Sequence, residues 1–153
     1  MNGLEEERAF DERMAAAVEA ATAALVADGR ATLTREYEEG PGEFMTLRPT
    51  NPRACEVEIL LDGYPTVVFG GATDEMFGDD DERIEHLLED LADVIAGRFV
   101  WGCRQEKVLW GLMGTVTIQY GEFLELDGGV RRSFTRGGGE PEGLVEHHTF
   151  EPY

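Results

Sequence analysis

A chain of 153 residues, 42% hydrophobic and 29% charged, has the length and composition of one ordinary globular domain and needs neither disulfides nor metal to bury a core. Its 32 Asp+Glu against 13 Lys+Arg give a formal net charge of −19 and a pI near 4.3. That sign argues against nucleic acid and against an anionic membrane as partners, because both select basic surfaces.

The first predicted element is a helix over about residues 4–28. Phe10, Met14, Ala17, Ala21 and Leu25 recur at steps of three and four, and Gly29 follows as a C-cap. Its outer face carries Glu12 and Glu19 beside Ala15, Ala16 and Ala23. Such an alanine-rich face serves helix propensity, or lets a partner helix approach closely. From Thr32 to Tyr37 the period changes to two, a strand, and Glu38–Gly42 reads as a turn. Phe44–Arg48 is a second strand, ended by Pro49 and Pro52. Asp62-Gly63 between Cys55–Leu61 and Tyr64–Gly70 predicts a two-residue hairpin. That register pairs Leu61 with Tyr64, Ile59 with Thr66 and Val57 with Val68. It sends Val57, Ile59, Leu61, Tyr64 and Val68 to the core and leaves Val67 and Phe69 half-solvated.

A second helix is predicted over about 81–96, with Ile84, Leu87, Leu88, Leu91, Val94 and Ile95 as its apolar stripe and Gly97 closing it. Asp79–Glu82 stand at its start, where the helix dipole favours negative charge and Asp can cap. Phe99–Arg104 and Lys107–Met113 then read as a hairpin turning at Gln105-Glu106, which sets Trp101 opposite Trp110 and Phe99 opposite Leu112. Thr115–Tyr120, Phe123–Leu126 and Val130–Phe134 read as further strands. The fold class expected is α+β: a single domain over residues 1–136, with two helices packed on a curved, mostly antiparallel sheet of about six to nine short strands. Residues 137–153, rich in Gly, Pro and Glu, are expected to be a loosely held tail.

Between Asp74 and Asp93 ten carboxylates accompany Arg83 as the lone cation. On a helical wheel Glu82, His86, Glu89 and Asp93 centre the face opposite Ile84, Leu88, Leu91 and Ile95, with Glu85 and Asp90 flanking it. One reading is a solvated helix face. Like charges at helical spacing weaken a helix, however, and a one-sided acidic ridge suits the steering of a basic partner. The candidate partner-binding residues are therefore Glu82, Glu85, His86, Glu89, Asp90 and Asp93, with Trp101 and Trp110 as a candidate aromatic anchor. Neither the acidic run nor the adjacent His147-His148 has the spacing of a calcium loop or a zinc site, so no metal and no cofactor is expected. No nucleotide-binding glycine motif and no serine nucleophile elbow occurs, and no catalytic residue can be assigned. Two cysteines, Cys55 and Cys103, and an acidic start without an apolar signal stretch fit free thiols in a cytoplasmic protein.

These features point to a small acidic protein-binding module that sequesters or escorts a basic protein, in an immunity-protein, antitoxin-like or chaperone-like role. A homodimer stays open. The alternative is a small enzyme or ligand-binding domain with a pocket between sheet and helices.

Overall fold

A computed structural model describes residues 3–63, 66–107, 110, 112, 114–139 and 146–153. Among them are two helices and nine strands in chain order: α1 (Gly3–Ala27), β1 (Ala31–Glu38), β2 (Gly42–Pro49), β3 (Val57–Leu61), β4 (Thr66–Phe69), β5 (Ala72–Glu75), α2 (Asp80–Ile95), β6 (Phe99–Lys107), β7 (Thr115–Leu124), β8 (Val130–Gly139) and β9 (Glu146–Thr149). The class is α+β, as the runs of strands between and after two helices in the sequence indicate. The strands form two antiparallel sheets rather than one, ordered β1-β2-β3-β4-β5 and β8-β7-β6-β9. From β1 to β5 and from β6 to β8 sequential strands pair, while β9 returns to the other side of β6; α2, standing between β5 and β6, separates the two sheets.

The inward face of the first sheet carries Met45, Leu47, Val57, Ile59, Leu61, Val67 and Phe69, all buried. Against it pack Phe10, Met14, Val18 and Leu25 of α1 and Leu87, Leu91 and Val94 of α2. Phe69 joins the two sheets. Its ring lies 5.3 Å from that of Phe99 on β6 and 5.1 Å from that of Phe123 on β7.

Several expectations are corrected. The β3–β4 register pairs Val57 with Phe69 and Ile59 with Val67, one residue away from a two-residue hairpin. A one-residue slip exchanges the faces of a strand, so Val67 and Phe69 are in the core and Val68 is not. Tyr64 lies outside the described residues. A fifth strand follows at once, because Gly70-Gly71 make a tight hairpin turn with Gly70 at φ +61°, and β5 pairs back on β4. Next, β6 does not turn at Gln105-Glu106. It runs on to Lys107, with Trp101 opposite Gly121 and Phe99 opposite Phe123. β7 is likewise one continuous strand, not two. Residues 108, 109, 111 and 113 of the expected second hairpin strand lie outside the described residues.

The tail differs too, since its residues 146–153 are built into the fold. β9 pairs with β6, setting His148 opposite Trp101. Beyond it Phe150 stacks on Phe99, and the Tyr153 hydroxyl donates to the Cys55 carbonyl. The Tyr153 N–H donates to Ile95 at 3.0 Å, fastening this segment to the end of α2. The aromatic side chains, Phe150 and Tyr153, outweigh the Gly/Pro/Glu composition that suggested a loose end.

Candidate interaction surface

Asp79 caps α2 by accepting from the Glu82 N–H at 3.0 Å, while the Glu82 carboxylate reaches back toward the Asp79 N–H at 3.4 Å. This reciprocal arrangement satisfies two otherwise orphaned N–H groups and fixes where the helix begins. Glu82 thus has a structural task as well as its exposed charge.

Farther along, α2 is rolled about its axis relative to the expected stripe. Leu87, Asp90, Leu91, Asp93 and Val94 are buried, whereas Ile84, Leu88 and Ile95 are only half-buried. Asp90 is 0% exposed and Asp93 6%, so these two are not on the open acidic ridge that the wheel suggested. Both point toward β8. Arg131 donates to Asp93 at 2.7 Å, to Asp90 at 2.7 Å and to Glu89 at 3.3 Å. Arg132 bonds both oxygens of Asp90 and reaches Asp74 on β5 at 2.6 Å. Arg98 closes the cluster with two bonds to Asp93, at 2.9 and 3.2 Å. The Arg132 guanidinium also lies 4.7 Å over the Phe123 ring.

Burial pushes the Asp90 carboxyl above the usual Asp range, against the pull of Arg132 and Arg131. The two arginines are the residues that sequence reasoning missed. Their only local signal is that adjacent cations, Arg131-Arg132, occur in a strand of a strongly acidic chain.

What remains on the solvent side of α2 is Glu82, Glu85, His86, Glu89 and Ala92, all exposed. Beside them the half-buried Ile84 and Leu88 continue the line, so that Ile84, Leu88 and Ala92 follow one another at four-residue steps. Ile84, Glu85, Leu88, Glu89 and Ala92, with Asp81 and with Arg13 of α1, line an open depression of about 530 Å³; Glu82 and His86 lie outside it. Its floor is aliphatic and its rim is acidic: Asp81, Glu85 and Glu89. Arg13, the one cation on the rim, is engaged by Asp81.

The two tryptophans are not brought together. Trp101 is half-buried, its ring against Gly71 and stacked on His148 with 4.3 Å between centroids. Trp110 is 94% exposed with a positive φ of 55°. His147 meets the Tyr120 hydroxyl at 3.1 Å, so the adjacent histidines point to opposite faces of β9. Among the described residues no three His, Cys, Asp or Glu side chains are grouped as metal ligands would be. Cys55 and Cys103 form no disulfide. No described helix is long and apolar enough to cross a membrane.

Comparison with protein-family models, with curated proteins and with solved structures found no match. The functional reading therefore rests on the surface itself.

Proposed function

We propose that the chain is an acidic protein-binding module that sequesters or escorts a basic protein, which docks an amphipathic cationic segment on the solvent face of α2. The observation that carries this reading is the pairing of an apolar line, Ile84, Leu88 and Ala92, with the carboxylates Glu85 and Glu89 in one open depression. An aliphatic floor supplies desolvation energy, while the acidic rim raises encounter rates and rejects acidic competitors. Asp90 and Asp93 leave the proposed contact set, because their charges are neutralised inside the fold. Their part is to hold α2 in the roll that exposes Ile84 and Leu88. Under the middle of the helices the core is filled by Met14, Leu47, Ile59, Phe69 and Leu87, all buried, which favours a surface over an enclosed interior pocket; an opening between helix and sheet lies at the β1 edge.

The test is capture of basic proteins from the source lysate on the immobilised chain, at low and high salt, with three baits. Wild type should retain a salt-sensitive basic protein. Glu85→Gln/Glu89→Gln should retain less, and Ile84→Ser/Leu88→Ser less again at both salt concentrations. Equal retention by all three baits would contradict the proposal.

A further inference from the structure

We infer that the outer edge of β1 is a second binding site, one that takes an extended peptide segment as a sixth strand of the first sheet. The inference rests on the binding-module reading for the sign of the ligand's charge, but its location is independent of α2. Among the described residues β1 is the terminal strand of its sheet and pairs with β2 alone. A strand paired on one side presents a row of N–H and C=O groups to whatever lies beside it. Along that edge runs a groove of about 460 Å³. One wall is the flank of α1, with Glu19, Ala23 and Val26; the other is Leu33 and Thr34 of β1; Met45 of β2 lies between them. This is where the inward-facing side chains of an added strand would fall, under the overhang of α1. Val26 is 41% exposed and Leu33 half-buried, so apolar surface is left for such side chains to cover.

The far end of the groove is closed by Arg35, which donates to Glu12 at 2.6 Å and to Glu43 at 2.6 Å. That clamp limits how far an incoming strand can run. The surrounding charge selects the occupant. Glu12 and Glu19 stand on the α1 flank, and Glu36 and Glu38 on β1, all exposed. A second copy of the chain would bring its own Glu12, Glu19, Glu36 and Glu38 against these, and like charges repel at such range. A segment alternating apolar residues inward with Lys or Arg outward meets both requirements. Main-chain pairing then gives affinity, and the groove and carboxylates give selectivity, as in other strand additions.

The probe is a short capped peptide alternating valine and lysine, titrated into the full chain while amide hydrogen exchange is followed. Exchange at β1 amides should slow by about tenfold at saturation. Val26→Arg, an exposed substitution that fills the groove and adds positive charge, should abolish the effect. Glu85→Gln/Glu89→Gln should leave it intact, which separates this site from the α2 face. Three results would overturn the inference: unchanged β1 exchange at millimolar peptide, equal binding of the same peptide interrupted by two prolines, or a chain that is already dimeric with its β1 amides protected. None of these touches the α2 reading, which fails or stands on the capture experiment.

Discussion

Cys55 has no exposed surface, and burial pushes its thiol up to about 12, with the nearby Glu56 charge adding in the same direction. Its carbonyl accepts the Tyr153 hydroxyl, which burial also raises above the ordinary tyrosine range. Both groups are held in their neutral forms. A folded-state value above the unfolded one means the contribution is complete below the unfolded pKa, near 9.0 for the thiol, and is lost as the pH climbs toward the folded value. The melting temperature is therefore expected to fall between pH 9 and about 11, and Cys55→Ala should flatten that fall. Thermal melts of both proteins across the range check this, and identical slopes would refute it. Residue identity alone could not reveal this pair, since Cys55 and Tyr153 meet only after β9 returns along β6.

At the level of elements, α2 shows how far a periodic pattern can be trusted. Its existence, length and cap were legible: Asp79 caps, Leu87, Leu91 and Val94 are buried, and Gly97 follows at φ +72°. Its roll was not, because two aspartates on its flank find Arg131 and Arg132 some forty residues downstream, and a wheel records polarity without knowing the partner. The same limit explains β4. Alternation is equally well satisfied by either register, so Asp62-Gly63 suggested a pairing one residue away from that of Val57–Ile59 with Val67–Phe69, and Val67 and Phe69 change sides with Val68. In contrast, Gly70-Gly71 is a readable turn signal, and the short strand it starts, β5, has only Ala72 and Thr73 before two acidic residues to mark it.

The interlock of α2 with β8 carries its own prediction. Removing one partner from a buried ion pair costs about 3–5 kcal/mol, because the remaining charges lose their compensation. Asp90→Asn should cost about 3 kcal/mol on this basis, since its amide can still accept one of the arginine bonds. Glu85→Gln, on the exposed side of the same helix, should change stability by less than about 0.5 kcal/mol. Denaturant unfolding of the two variants measures the difference directly. Equal, small losses would mean that Asp90 is hydrated rather than locked.

Over the whole molecule, the net charge of −19 is not spread as a uniform film. Asp74, Asp90 and Asp93 are turned inward, where Arg98, Arg131 and Arg132 match them in a set that adds no net charge and ties the two sheets to α2. The exposed carboxylates include Asp81, Glu85 and Glu89 on the rim of the α2 depression and Glu19 on the wall of the groove beside β1. The α+β class was legible because two helical periods are each followed by a run of strand periods. The division into two sheets was not, since that depends on where α2 passes between β5 and β6. The central claim is that exposed carboxylates of α2 steer a basic partner to an aliphatic docking line. The most direct test is the association rate constant of a captured basic partner, measured against ionic strength for wild type and for Glu85→Gln/Glu89→Gln. The account predicts a slower association and a shallower salt dependence for the variant, with folding stability unchanged. Superimposable rates and salt slopes would contradict it.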